Sequence, residues 1–283
     1  GGMYANWTYY LLSPFNLVFV LVPRSALPVA VLFVTALKYS TAAMAAQALA
    51  NYLTGGRWYS FVFSISYGLS GFLVANFLNI MWMDGVILLP LVVLGIERLF
   101  DEQRLLPYVI PLSLAFITNY YIGFMVAIFA ALYFGWRWAI QHQLQLLRKI
   151  SLFVIGSLLS GMIAAVVLIP TYYALSASRL SSAGADFSFK ALYSLIDLPS
   201  KLLPGSFNFD QLSNGLPNLY MGMIGLLGAS FYFLARTIPV RERLISAGMT
   251  LLLILSIWLN PLAIIWQGFR APVWYLYRHS FIV

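Results

Sequence analysis

Between Leu27 and Leu259 the sequence is a succession of apolar runs parted by short basic turns, and this pattern decides which solvent the chain can fold in. The runs cover residues 27–52, 58–75, 85–100, 105–117, 122–138, 150–173, 219–235 and 244–259. Several approach the roughly 20 apolar residues that a helix needs to cross a bilayer. Only 8% of the residues are charged, against about 25% in a soluble domain. Such a chain cannot cover a water-facing surface. The expectation is an all-α fold: a polytopic transmembrane helix bundle of about eight spans, carrying loops and interfacial helices.

The basic residues orient the bundle. Arg57, then Arg98 and Arg104, then Arg137, Arg148 and Lys149, then Arg236, Arg241 and Arg243 fall on one side of the alternating runs. Short loops rich in Lys and Arg face the cytoplasm. Residues 1–25, 76–84, 119–121, 174–218 and 260–280 then share the extracellular side of a bacterial cytoplasmic membrane, and the chemically varied segments are all there. The net charge of +8 reads as loop charge, because no basic cluster is interleaved with stacking aromatics. Nucleic acid is not an expected partner; membrane lipid is.

The ends read as internal. The chain opens on Gly1-Gly2-Met3 without a first span, and another apolar segment starts at Arg278–Val283. The expectation is a single membrane domain over 1–283, part of a longer protein, with one sizeable outer loop at about 174–218. There is no cysteine, so no disulfide or thiolate chemistry arises. Walker, HExxH, GxSxG and dinucleotide motifs are absent, which argues against ATP-driven and nicotinamide-dependent activities.

The stretch Asn76–Pro90, NFLNIMWMDGVILLP, sets Asp84 with Asn76, Asn79 and Trp82 against a membrane-length apolar run. A carboxylate at that boundary is either the N-cap of a helix beginning at Gly85 or a functional group. It could deprotonate an acceptor hydroxyl or hold a divalent cation against a phosphate. Lys38, inside an apolar run, either faces a cavity as an anion ligand or pairs and snorkels for structure. Arg270, Arg278 and His279 lie among Trp266, Trp274, Tyr275 and Tyr277. Cations with aromatics at headgroup depth suit a lipid phosphate, though interfacial anchoring produces the same composition. Asn119, Tyr120 and Tyr121, and Tyr9, Tyr10, Ser13 and Asn16, supply the amides, hydroxyls and flat faces that bind sugars, or an aromatic belt. Asp186, Asp197 and Asp210 are further outer-loop carboxylates, a class that is usually solvated.

Taken in order, YYLLSPFNL at 9–17, the Lys38 helix, NIMWMDGVILLPLVVLGIERL at 79–99, NYYIGFM at 119–125, PSKLLPGSFN at 199–208, GLPNLYMG at 215–222 and WQGFRAPVWYLYRHSF at 266–281 form an ordered set. This set resembles the bacterial YfhO family of multi-spanning membrane proteins, from end to end. The resemblance implies a GT-C-like glycosyltransferase. Such an enzyme moves a sugar from an undecaprenyl-phosphate-linked donor to a cell-envelope polymer such as teichoic acid, as in lipoteichoic acid glycosylation. It implies a main catalytic carboxylate upstream of Gly1, with Asp84 in the place of a second acidic outer loop. Asp84 lacks the paired Asp-x-Asp pattern, so metal dependence stays open: no cofactor is certain, and a divalent cation is one option. Readings from other classes are a lipid-linked-sugar transporter or flippase and an envelope-assembly scaffold. The absence of an internal repeat weighs against transport.

Overall fold

Helix α6, Met83–Glu102, lies at the centre of the computed structural model. Its N-terminal part from Met83 to Pro90 is buried at every residue. The structure describes residues 3–141, 146–176, 186–207, 211, 215–270 and 275–283. A helix that is apolar on all sides belongs in the interior of a bundle. α3 (Leu27–Thr54), α7 (Leu106–Thr118) and α8 (Tyr120–Gln141) pack round it. α9 (Leu146–Ser176) lies against α7 with most of its length facing outward.

The ends of these helices have local causes. Pro28 opens α3, where its missing N–H costs nothing, and Gly55 closes it in the left-handed region at φ 67°. The tight turn expected at 119–121 is present: the Asn119 carboxamide oxygen accepts the Tyr121 and Ile122 backbone N–H groups at 3.1 and 3.0 Å, capping α8. α6 and α7 approach so closely at Gly95 that a side chain there would meet the Pro107 carbonyl and the Tyr108 backbone.

The helical membrane bundle expected from the sequence is what the chain forms. Among the described residues four segments are long and apolar enough to cross a membrane: Arg24–Thr54, Ile80–Glu102, Tyr120–Gln141 and Leu146–Ser176. The run at 58–75 breaks into α4 (Ser60–Gly68) and α5 (Gly71–Ala75), because Ser70 turns extended and the Gly71 N–H bonds the Tyr220 carbonyl at 2.6 Å. α7 has 13 residues, a length of about 20 Å. The run expected from Leu219 becomes helical only as α10 (Met223–Leu234), because Gly222 before it takes φ 84°. α11 (Val240–Trp258) spends its first turn on Arg241, Glu242 and Arg243.

Short elements gather at the end of the bundle that carries Asp84. Residues 3–26 fold as α1 (Met3–Tyr10), α2 (Leu17–Leu21) and two 3₁₀ turns, and α1 is pinned to α9 by a Thr171–Thr8 hydroxyl bond of 3.0 Å. Residues 186–207 lie across the end of α11 through an Ala191–Leu259 bridge and the Trp258 indole N–H on the Tyr193 carbonyl. α12 (Asn260–Trp266) and the 3₁₀ turn Arg278–Ile282 complete this end.

At the opposite end the basic turns are not simply solvated. Arg137 Nε donates to both Glu97 carboxylate oxygens at 2.9 and 2.8 Å, and the Tyr133 hydroxyl adds a third bond at 2.6 Å. This cluster ties α6 to α8. Nothing in the local sequence signals it, because the partners come from different helices.

Candidate functional site

Asp84 stands in the first turn of α6, whose helical backbone begins one residue before it, and Trp82 holds the N-cap position. The capping alternative is therefore not what the chain adopts, although a carboxylate in a first turn gains from the helix dipole. The Asp84 side chain turns to α3. Lys38 Nζ donates to Asp84 Oδ2 at 2.7 Å, to the Ile80 carbonyl at 2.8 Å and to Ser13 Oγ at 3.0 Å. The Ser13 hydroxyl in turn donates to Asp84 Oδ1 at 2.9 Å.

All three ammonium protons of Lys38 are thus used, and both Asp84 oxygens are engaged. Each residue is almost wholly buried. Of the two readings of Lys38, the geometry has the paired one: ammonium against carboxylate inside the bundle. This unit pins Ser13 and the turn Ile80–Trp82 to α3 and to the first turn of α6. Asp84 does not itself open on a cavity, since Ser13 lies between it and one.

Across the Ile80–Trp82 turn sits a second cluster. The Arg278 guanidinium lies over the rings of Tyr121, Trp82 and Tyr275 at 5.2, 5.5 and 5.9 Å. These are cation–π distances, and they hold a charge at a site poor in water. The Trp82 indole N–H donates to the Tyr9 hydroxyl at 2.8 Å. Tyr9 packs edge-on to Tyr10 and Tyr120 and tilted against Tyr121. Burial raises the Tyr9 phenol above its usual range, with Arg278 pulling the other way. The Asn119 amide donates to the carbonyls of Tyr9 and Met81, at 3.1 and 3.2 Å, which locks both segments. The Tyr121 hydroxyl reaches Gln267 Oε1 at 3.2 Å.

Three hollows border these clusters. An apolar groove of about 550 Å³ runs beside α3, α4 and α6, lined by Ala50, Tyr67, Leu89, Tyr220 and Phe281 among others. At its upper end it shares Phe72, Asn218 and Ser280 with a narrow cleft of about 30 Å³ that also holds Asn76, Trp82, Gln211 and Arg278. A cleft of that size takes a water or two. The third hollow, about 510 Å³, lies on the other side of the Ile80–Trp82 turn and is lined by Tyr10, Ser13, Asn16, Leu17 and Leu78.

The residues singled out in the sequence thus fall into two adjoining groups. Tyr9, Trp82, Asn119, Tyr121 and Arg278 form one, with Tyr120 at its edge. Lys38 and Asp84 form the other, below the hollow that Tyr10 and Asn16 line. Asn79 is buried and donates to Asn76 at 3.2 Å, bracing the cleft wall. Arg270 is exposed on the turn after α12, within electrostatic reach of Tyr120. His279 is fully buried, stacked on Trp266 at 5.5 Å, with Nε2 against the Ser256 carbonyl. Burial holds its pKa down at about 4.

Among the loop carboxylates, Asp186 pairs with Lys190 at 2.9 Å on an exposed surface. Lys190, with Ser188, holds the Asp186 carboxyl down at about 2. Asp197 is exposed, and Asp210 and Trp274 lie outside the described residues. A divalent cation does not fit Asp84, whose neighbours are an ammonium and a hydroxyl. Among the described residues no group of three acidic or histidine side chains gathers. Sequence reasoning did not single out Gln267, whose one signal is a polar residue between apolar and aromatic neighbours. It also gave no role to Lys201, which is buried behind the cleft wall.

The family described as "Bacterial membrane protein YfhO" matches residues 1–283. A Bacillus subtilis (strain 168) protein named "Uncharacterized protein YfhO" is 26% identical over 246 residues, covering 85% of this chain and 26% of that protein. The chain therefore spans about a quarter of the length of this curated relative. No solved structure matches.

Proposed function

This chain belongs to the YfhO family of bacterial membrane proteins, and from that premise we propose that it forms the lipid-donor site of a membrane glycosyltransferase. The donor is a sugar linked to undecaprenyl phosphate. The acceptor is a cell-envelope polymer such as teichoic acid, and transfer takes place on the extracellular side, where the Asp84 end of the bundle lies. One observation carries the reading: the Arg278 cation is held among three aromatic rings beside a narrow cleft that shares Phe72, Asn218 and Ser280 with an apolar groove of about 550 Å³. A polyprenyl phosphate has the complementary form, an anion at headgroup depth joined to a tail of pure hydrocarbon.

In the reaction an acceptor hydroxyl attacks the anomeric carbon as the bond from that carbon to the phosphate oxygen breaks. The electron pair leaves with the phosphate, and the hydroxyl proton passes to an outer-face carboxylate. Arg278 stabilises the departing lipid phosphate, whose negative charge grows as the bond breaks. The groove takes part of the tail along α3, α4 and α6. Tyr9, Tyr121 and Trp82 offer ring faces and hydroxyls beside the sugar. Asp84 acts through its pair with Lys38 and Ser13, holding the Tyr9 segment and the Trp82 turn in register. No ATP is needed, because the phosphate–sugar bond supplies the driving force.

The test uses the full-length protein with radiolabelled undecaprenyl-phosphate sugar and a teichoic acid acceptor. Arg278→Ala should lower transfer at least about tenfold while the protein remains folded. Transfer at the wild-type rate would remove the proposal. Movement of labelled donor lipid across proteoliposomes without transfer would identify a transporter instead.

A further inference from the structure

The hollow of about 510 Å³ beside Ser13 has no place in the chemistry above. Its size is that of a small-molecule site. The residues lining it lie between 10 and 20 and between 78 and 81, and none is shared with the Arg278 cleft or with the apolar groove. Its walls include Leu11, Leu17, Val20 and Leu78, each more than half exposed, so the hollow opens where apolar side chains meet the bilayer. No charged side chain lines it. Behind Ser13 the Lys38 ammonium is matched by the Asp84 carboxylate, so the floor carries no net charge.

The polar side chains in the lining are Tyr10, Ser13 and Asn16. Ser13 Oγ gives its proton to Asp84 Oδ1 at 2.9 Å and accepts one from Lys38 Nζ at 3.0 Å. A hydroxyl oxygen has two lone pairs, so Ser13 keeps one acceptor site and no donor. Asn16 Nδ2 donates to the Tyr10 carbonyl at 2.9 Å, which sets the orientation of the amide, and Asn16 Oδ1 has no hydrogen-bond partner among the described residues. Two acceptors three residues apart in sequence thus look for donors. A ligand hydroxyl supplies them. A phosphate brings acceptors and a charge, and no cation lines the hollow to meet it.

We infer that this hollow is a second lipid site, selective for an uncharged lipid whose head carries free hydroxyls, as a monoacylglycerol does. The hydroxyls donate to Asn16 Oδ1 and Ser13 Oγ, and the chain lies against Leu17, Val20 and Leu78. The Ile80–Trp82 turn then separates two sites of opposite preference, with the Arg278 cation on one side and a neutral, acceptor-rich pocket on the other. The inference goes beyond the donor-lipid reading and does not rest on it, because the two sites share no lining residue.

The experiment uses the full-length protein in lipid nanodiscs and two photoactivatable probes, a monoacylglycerol and the lysophosphatidic acid with the same diazirine-bearing chain. Mass spectrometry locates the labelled peptides. The monoacylglycerol should label the segments 10–20 and 78–81 about tenfold more than the phosphate probe does. Asn16→Leu should lower that preference about fivefold, the worth of one hydrogen bond. Asn16→Asp should keep it, since a carboxylate only accepts. Both variants lose the bond to the Tyr10 carbonyl, so a difference between them reads the acceptor and not the fold. Leu17→Trp, at a lipid-facing position, should reduce labelling by both probes. Equal labelling by the two probes in the wild type, equal behaviour of the two Asn16 variants, or labels confined to other segments would each overturn the inference and leave the donor-lipid reading where it stands.

Discussion

Lys38 Nζ and Asp84 Oδ2 stand 2.7 Å apart, with side-chain exposures of 0% and 3%. Each charge is tolerated inside the bundle because the other is there, and Ser13 and the Ile80 carbonyl satisfy what remains of the pair. Removing one partner strands the other. Lys38→Met should destabilise the protein by about 3–5 kcal/mol, whereas Lys38→Met with Asp84→Leu should recover most of that loss. Thermal unfolding of the three proteins in detergent measures the difference. A single variant as stable as wild type would show that the pair contributes nothing.

His279 gives stability a pH dependence of known sign. Burial holds its folded pKa at about 4, below the ordinary histidine value of about 6.5. Between those values the unfolded chain binds a proton that the folded chain refuses. Stability is therefore fully present above about pH 6.5 and falls as the pH drops toward 4, by on the order of 3 kcal/mol in all. His279→Phe keeps a ring against Trp266 and should flatten this part of the stability profile. A wild-type profile equally flat from pH 7 to 4 would contradict the assignment.

The sequence makes α6 plain, because a continuous apolar run has one cheap solution in a membrane, and the Asn119 turn is equally visible. Two features that shape the site are not local and stay hidden. Lys38 and Asp84 lie 46 residues apart, and nothing in either neighbourhood names the other. Arg278 reaches Trp82 from the far end of the chain. The break at Ser70 is hidden for the same reason: the run around it is apolar throughout, and the bond that ends the helix comes from Tyr220.

Backbone proximity makes a sharper prediction than propensity does. Gly95 and Gly135 are both helical glycines, but a side chain at Gly95 would strike the α7 backbone, whereas nothing lies within 4 Å of one at Gly135. Gly95→Ala should destabilise by about 1–3 kcal/mol. Gly135→Ala should be neutral or stabilising by up to about 1 kcal/mol through helix propensity. Unfolding midpoints for the two variants check both, and equal effects would mean that α6 and α7 do not meet as closely as described.

Orientation can be tested directly in a chain that has no cysteine. Ser188 and Arg104 are both exposed and lie at opposite ends of the bundle. On the proposed topology Ser188→Cys reacts with a membrane-impermeant maleimide added outside intact cells, and Arg104→Cys reacts only after permeabilisation. The reverse pattern would place the Arg278 cluster on the cytoplasmic side and rule out an extracellular acceptor.

The groove yields the most demanding prediction, because it separates tail binding from headgroup binding. Ala50 lines the groove at the end of α3 away from Arg278, and its side chain is small enough that the hollow remains open beside it. Ala50→Trp would fill part of that volume with an indole while leaving the Arg278 cluster untouched. If a polyprenyl tail occupies the groove, transfer from an undecaprenyl-phosphate donor should fall about tenfold or more, since each excluded methylene forfeits about 0.8 kcal/mol of burial. A donor with a tail too short to reach Ala50 should be used as well by the variant as by wild type. Equal losses for both donors would mean that the substitution damages the fold. No loss for either would mean that the tail lies elsewhere, and the apolar groove would then be no part of the donor site.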